Sequence, residues 1–324
     1  MQILYFIYPQ MAHNTLLIIP YVLFIIIISL ILGKIIGPFI GNLIGYGVPQ
    51  IEAIFLNKDQ MYWWAILWRK FVGGLLSICP GLMLGHEGPC IEMDAMVGQG
   101  LAQDFYHGDK EEIRRLQKSG VVAGLSAAFS APLSGIFFLV EEITFEFEPY
   151  VVLSALASSF SADFITLLFF GTKPCLYLPV NGNLPLHAYW ISPIIGIILG
   201  LLAYVYQYCL LSLKPISAKI KLIPKKYHSI IAFLLIIPIG LWNAKLLGGS
   251  HVLINDLYSK NIDLHLNLGT LSFLLLPLTI FLVRFLYSMI SYGANVPDGI
   301  FKPILVLGAA LGVLLDSVLI QGNS

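Results

Sequence analysis

The stretch Gly85-His86-Glu87-Gly88-Pro89 decides the fold of this chain. It follows an apolar run, places an acid between two glycines, and ends in a proline that fits the first turn of a helix. Glycines followed by a proline recur at Gly45–Pro49 (Gly-Tyr-Gly-Val-Pro) and at Gly299–Pro303 (Gly-Ile-Phe-Lys-Pro). Each stretch precedes a mildly apolar segment. The sequence therefore predicts three helices that begin partway through an apolar protein.

The composition excludes most other classes of protein. Of the 324 residues, 58% are hydrophobic and only 11% are charged, against about 25% charged in a soluble domain. The chain has 18 basic residues (lysine and arginine) and 18 acidic residues (aspartate and glutamate). It therefore lacks the excess of basic residues that a nucleic-acid-binding protein carries. Since apolar residues cover nearly the whole chain, we predict a multi-pass integral membrane protein surrounded by lipid, located in the cell membrane if the source is prokaryotic.

Long apolar runs alternate with shorter ones that glycine and proline interrupt. A full span needs roughly 20 residues, so the interrupted runs predict helices that stop inside the membrane. Such backbone is stable there only when protein surrounds it or when it lines a wet cavity. Broken helices are typical of channels and transporters. The predicted fold is an all-α membrane bundle of tilted and broken helices. The long runs are Tyr150–Phe170, Trp190–Leu213, Ile230–Leu247 and Leu271–Met289.

Helix starts offer a chemistry that suits an anion. The first turn exposes unpaired N–H groups and the positive end of the helix dipole. Several starts that point at one place form an anion site without a full cation, and weak, distributed attraction lets a permeating ion leave again. Ordinary helix capping between spans remains the alternative for each stretch taken alone.

A faint internal repeat accompanies these stretches. Gly248–Ile254 is similar in kind to Gly45–Ile51, and a further glycine-rich helix start follows each by about 40 residues. Interrupted segments at matching places in two halves predict an inverted repeat with its site at the interface. We expect one domain over residues 1–324, with a first repeat over about 15–170 and a second over about 187–324.

Acidic residues in apolar surroundings are functional candidates, because a carboxylate at the centre of a span costs about 2.5–3.5 kcal/mol. Glu87 lies inside the second glycine stretch, while Glu141 and Glu142 follow the apolar run Ile136–Val140. Burial disfavours the charged form, as a proton carrier requires. The alternatives are a solvated helix end for Glu141 and Glu142, and backbone N–H groups that satisfy Glu87.

Other polar residues predict structural roles. Glu52 and Lys70 are expected to form an internal ion pair, and Glu92 and Asp94 to complement a helix dipole. The four cysteines lie far apart and predict free thiols with no metal site. The sequence carries no zinc-protease signature, nucleophile elbow, Walker motif or dinucleotide fingerprint. We therefore predict neither an enzyme nor a bound cofactor.

Taken together, these motifs resemble the CLC family of chloride channels and chloride–proton antiporters. Gly45–Pro49 is similar to the family's G-S-G-I-P, Gly85–Pro89 to G-R-E-G-P, and Gly299–Pro303 to G-x-F-x-P. The segment Gly124–Gly135, followed by the pair Glu141-Glu142, is similar to G-L-A-A-A-F-N-A-P-L-A-G and its glutamate pair. Order and spacing agree from about residue 15 to residue 320.

The resemblance implies roles for individual residues. Glu87 would be the gating glutamate, which competes with the anion, and Glu142 the inner proton-transfer glutamate of the exchangers. Tyr46 replaces a serine of the family motif, and His86 replaces an arginine and so removes a fixed positive charge. The transported ions would be chloride and protons, in a homodimer without a cofactor. The implied anion-binding residues are Tyr46, Gly47, His86, Gly88, Ile300 and Phe301.

The resemblance also predicts an inverted-repeat bundle that lacks the family's first helices and last helices. Chloride–proton exchange is the favoured function. A passive chloride channel and a non-transporting truncated remnant remain open, while the proline after Gly88 fits a chloride transporter better than a fluoride exporter.

Overall fold

The computed structural model describes residues 2–171, 189–219, 223–249, 251–259 and 272–321. Within these ranges the chain forms α-helices joined by short turns and contains no β-strand, which confirms the predicted all-α class. The predicted start of the second repeat, at about residue 187, lies outside the described residues. The helices are α1 Gln2–His13, α2 Ile18–Ile36, α3 Ile40–Leu43, α4 Val48–Phe55, α5 Trp63–Ile78, α6 Glu87–Gly100, α7 Lys110–Phe129, α8 Pro132–Phe138, α9 Pro149–Phe170, α10 Ile191–Lys219, α11 Ser229–Trp242, α12 His251–Tyr258, α13 Ser272–Tyr292 and α14 Phe301–Gln321.

Six helical stretches in the described ranges are long and apolar enough to cross a membrane. Large hydrophobic side chains remain exposed along them, for example Phe164 in α9 and Leu201 in α10. Apolar surface of this extent is what lipid contact requires. The protein is thus a multi-pass integral membrane protein, as predicted. The stretches are Thr15–Leu43, Pro149–Phe170, Ile191–Leu213, Lys225–Trp242, Leu274–Tyr292 and Phe301–Val318.

The other helices are shorter or are enclosed by protein. α6 packs along α7, and α7 packs along α9. α7 begins at a capping box, in which the side chain of Asp109 accepts from the backbone of Glu112 while the Glu112 side chain accepts from the backbone of Asp109. It ends at Ser130, whose φ of 52° is left-handed. Pro132 then opens α8, so the segment singled out in the sequence is a helix, a sharp turn and a second helix.

Each of the three glycine–proline stretches begins a helix, as predicted. α4 starts at Val48, α6 at Glu87 and α14 at Phe301. No side chain caps the start of α4 or of α6. Because Glu87 and Pro89 are buried, the start of α6 lies inside the protein.

Candidate functional site

The three glycine-rich stretches meet at one place. Gly45 forms an isolated parallel bridge with Pro297. The backbone N–H of Gly85 donates to the carbonyl oxygen of Gly299 over 2.7 Å. Segments more than 200 residues apart in sequence are thereby joined through their backbones, and the starts of α4, α6 and α14 converge as the anion-site hypothesis requires.

The contact between the first two stretches needs glycine on both sides. A Cβ at Gly47 would lie 2.6 Å from the carbonyl oxygen of Gly88, and one at Gly88 would overlap the carbonyl of Tyr46. Gly47 also has a φ of 84°, which L side chains rarely adopt. The starts of α4 and α6 are therefore in direct backbone contact.

A cavity of about 620 Å³ opens beside this crossing. Its walls include apolar side chains of α7 and α8, such as Leu125, Phe129 and Phe138. Two residues implied by the resemblance, Gly47 and His86, are not part of this lining. The other implied residues all line it: Tyr46, Glu87, Gly88, Glu142, Ile300 and Phe301.

Glu87 is the first residue of α6, and its side chain is buried. Its carboxylate lies over Gly85, since a methyl group there would overlap Oε2. Oε1 forms an ion pair of 3.5 Å with Nζ of Lys302. Neither carboxylate oxygen makes a hydrogen bond within the described structure. The carboxylate is thus held by its ion pair with Lys302 and not by a fixed hydrogen-bonding pattern.

Lys302 is a site residue that the sequence analysis missed. It lies in the first turn of α14 and is 4% exposed. Its Nζ is 2.9 Å from Nδ1 and 3.1 Å from Nε2 of His86. An ammonium only donates, so the imidazole accepts on the nitrogen that bonds it. His86 lacks the fixed charge of the arginine in the family motif, and Lys302 places an ammonium beside it. The available signal was a lysine within an otherwise apolar helix start.

Glu142 lies in the π-helical stretch Leu139–Thr144, which continues α8. Its side chain is exposed, and it reaches the same cavity as Glu87. Glu141 is also exposed but does not line the cavity. Glu142, which the resemblance implies as the proton-transfer residue, therefore lies on the cavity wall, whereas Glu141 does not.

Glu52 contributes a further carboxylate to this wall. The predicted ion pair between Glu52 and Lys70 was wrong, because Lys70 pairs instead with Glu92 at 2.7 Å, both side chains being fully buried. A fully buried ammonium needs a counter-charge or a full set of acceptors close to it, and Glu52 is only partly buried.

Tyr46 and Ile300 lie where this cavity meets two others. Both line a cavity of about 250 Å³ that contains Asp298 and Gln50. Both also line an apolar cleft of about 750 Å³ between α10, α13 and α14. The two residues therefore lie at the boundary that the Glu87 cavity shares with its neighbours.

No cluster of three metal-ligating side chains occurs among the described residues. Cys79, Cys90 and Cys209 are free thiols, and Cys175 lies outside the described residues.

Helices that begin inside the protein, around a cavity lined by carboxylates, define a membrane protein of the channel and secondary-transporter class. Residues 23–323 match the family model described as "Voltage gated chloride channel". The chain belongs to this family, which confirms the resemblance to CLC proteins found in the sequence.

Curated relatives include the H(+)/Cl(-) exchange transporters ClcA of Cronobacter sakazakii and Vibrio parahaemolyticus. The first is 29% identical over 279 residues and the second 30% identical over 274 residues. Both alignments cover 83% of this chain and 56% of the relative. The chain thus spans about half the length of the curated relatives that it matches.

Solved structures of CLC-type antiporters also superpose on this chain. A slow cyanobacterial Cl-/H+ antiporter superposes with a TM-score of 0.80 at 26% identity, covering 97% of this chain and 73% of that protein. A CLC-type fluoride/proton antiporter superposes with a TM-score of 0.74 over 98% of this chain and 76% of that protein. At 19% identity the second match shows a common fold alone.

Proposed function

We propose that this protein moves chloride across the membrane in exchange for protons. The observation that carries the proposal is the single cavity with Glu87 at one place on its wall and Glu142 at another, beside the crossing of three helix starts. The curated relatives named as H(+)/Cl(-) exchange transporters support it.

The anion step uses the helix starts. Backbone N–H groups at the start of α14, from Ile300 and Phe301, and at the start of α6, around Gly88, present partial positive charge to the cavity. Tyr46 lies at the junction of the cavities and would contact an anion that passes it, while Gly47 and His86 shape the wall from behind. The Glu87 carboxylate occupies the same positive region, so carboxylate and chloride exclude each other.

The proton step uses the two carboxylates of the cavity. Glu142 is exposed and exchanges protons with water, whereas Glu87 is buried. A proton that reaches Glu87 neutralises the carboxylate and weakens its hold on the helix starts, which frees them for chloride. Water in the cavity carries the proton between the two residues, and Glu52 on the same wall offers an intermediate stop.

The test is flux in liposomes that contain the purified full chain. We expect a chloride gradient to drive protons uphill. Glu142→Gln should abolish proton movement and leave chloride flux, whereas Glu87→Ala should uncouple chloride flux from pH. Glu141→Gln is the matched control, because this neighbouring carboxylate is off the cavity wall, and it should leave coupling unchanged.

Three results would overturn chloride–proton exchange. Chloride flux without any proton movement in the wild type would identify a passive channel, whose reversal potential ignores a pH gradient. Absence of flux for any halide would favour a non-transporting protein, and flux of fluoride alone would favour a fluoride exporter. The homodimer implied by the resemblance stays a prediction, which size-exclusion chromatography with light scattering would check.

A further inference from the structure

The ammonium of Lys302 lies directly behind the Glu87 carboxylate. Glu87 lines the 620 Å³ cavity and Lys302 does not, yet Nζ and Oε1 are 3.5 Å apart. Withdrawal of the Glu87 side chain would therefore open the cavity to the ammonium. Among the described residues, Glu87 is also the only carboxylate at ion-pair distance from Lys302.

A buried ammonium is stable only with a counter-charge or a full set of acceptors. Lys302 has the His86 imidazole as an acceptor and Glu87 as its counter-charge. When the carboxylate is protonated or moves away, the imidazole remains but the counter-charge is lost. The unpaired cation then faces a cavity from which an anion can replace the carboxylate.

We propose that Lys302 is the fixed cation of the anion site. Its ammonium, positioned by His86, takes the transported halide as its counter-ion each time the Glu87 carboxylate leaves. This inference rests on the proposed function and adds a charged side-chain ligand at the variable position of the G-x-F-x-P motif. It also explains how the site keeps a positive charge although His86 stands where the family motif has arginine.

A purely structural lysine would behave differently. If Lys302 only fixed Glu87 in place, it would take no part in halide binding. Removing Lys302 from a variant that already lacks Glu87 would then leave the halide affinity unchanged. If Lys302 is a ligand, its loss weakens halide binding most clearly when Glu87 is absent and the site is open.

The experiment measures chloride and bromide binding by titration calorimetry on the purified full chain. Glu87→Ala should bind halide more tightly than the wild type, because the competing carboxylate is gone. Adding Lys302→Met should weaken binding about tenfold or more, as expected for loss of one charge-assisted contact. Adding Lys302→Arg instead should keep the affinity within about threefold, since the charge remains.

The matched control is Lys245→Met in the Glu87→Ala background. Lys245 is also an ion-paired lysine, with Asp256 at 2.6 Å, but it is 42% exposed and lies away from the cavity. Its loss should leave halide affinity unchanged. Should the Lys302→Met double variant not fold, Lys302→Gln replaces it, because the amide still donates to His86 without carrying a charge.

A bromide-soaked crystal of Glu87→Ala tests the same point without altering Lys302. Anomalous density within ion-pair distance of Nζ would support the proposal. Anomalous density only at other places would overturn the role of Lys302 and leave the exchange function intact. The same holds if the halide affinities of Glu87→Ala and of the folded double variant agree within twofold. If Glu87→Ala binds no halide at all, both the proposed function and the role of Lys302 are wrong.

Discussion

The two halves of this protein contain the same backbone turn with different chemistry around it. In the first half Gly45 has a φ of 102°, and α4 begins three residues later at Val48. In the second half Gly248 has a φ of 67°, and α12 begins three residues later at His251. Both helices are eight residues long. A glycine with positive φ therefore precedes an eight-residue helix by three residues in both halves.

A buried cation on the following long helix holds the turn in the first half. Nζ of Lys70 donates to the carbonyls of Leu43 and Gly45 over 3.1 and 3.3 Å. The same ammonium pairs with Glu92 at 2.7 Å. The turn is thus fixed by the Lys70 ammonium, whose charge is neutralised by the adjacent Glu92 carboxylate.

Arg284 holds the corresponding turn in the second half by hydrogen bonds to its carbonyl groups. Its Nη1 donates to the carbonyls of Leu246 and Gly248 over 2.7 and 2.9 Å. Within the described part of the chain it makes no ion pair, and its Nε and Nη2 have no hydrogen-bond partner there. Among the described residues, no carboxylate lies at ion-pair distance from the cation that fixes the second turn, whereas Lys70 has Glu92.

Each turn also joins the opposite half. Gly45 bridges to Pro297, just ahead of α14. The N–H of Gly248 donates to the carbonyl of Gly81 over 3.1 Å, just ahead of α6. Reciprocal contacts of this kind are what two copies related by a two-fold axis make, so they support the predicted inverted repeat.

The two halves supply different charged groups to the place where they meet. If Gly85 is matched with Gly299, then Glu87 corresponds to Phe301 and Gly88 to Lys302. The first half supplies the carboxylate and the second half supplies the ammonium that pairs with it. The site thus combines different chemistry from two distant segments at the point where they meet, and the repeat itself stays a prediction.

The largest effect is expected from Lys70→Met, because it leaves the fully buried Glu92 without its partner. Removing one member of a buried pair costs about 3–5 kcal/mol of unfolding free energy. Denaturant titration of the purified protein measures this loss. Lys70→Met combined with Glu92→Gln should recover part of it. Equal stability of Lys70→Met and wild type would show that the pair does not hold the first turn.

Gly47→Ala should have the next largest effect, at about 2–3 kcal/mol. The left-handed φ costs about 1–2 kcal/mol for alanine, and the methyl group would crowd the Gly88 carbonyl. Gly249→Ala, in the second-half turn, is a comparison variant, because Gly249 has no positive φ and its nearest contacts lie at 3.6 Å. Thermal unfolding of both variants makes the comparison. A larger loss for Gly249→Ala would show that close backbone contact is not confined to the first half.

Much of this arrangement could be predicted from the sequence. Glycine and proline placed the starts of α4, α6 and α14, and apolar runs gave the membrane class, since both follow from local backbone preference and hydrophobicity. The pairing of Lys302 with His86 could not be predicted, because these residues are 216 positions apart and meet only through the backbone contact between the halves. The partner of Lys70 was missed for a different reason: Glu92 is only 22 positions away, but the packing of α6 against α5 decides which side chains meet.

Arg284→Met is expected to cost about 1–2 kcal/mol. Two buried carbonyls lose a charged donor, which is destabilising by about 1–3 kcal/mol for each unsatisfied group, but removal of an uncompensated buried charge offsets part of this loss. The measurement is again unfolding free energy, with Arg284→Lys as the variant that keeps a donor and a charge. A loss larger than that of Lys70→Met would mean that the carboxylate of Glu92 is not what distinguishes the two turns.

The smallest effect is expected from Glu92→Gln, which gives the first turn the charge arrangement of the second. Lys70 keeps its two carbonyl acceptors, and the amide oxygen of the new side chain accepts from Nζ in place of the carboxylate. The loss is the difference between a charged and a neutral acceptor, about 1 kcal/mol. A loss as large as that of Lys70→Met would show that the first half, unlike the second, cannot keep a buried cation without a carboxylate in direct contact.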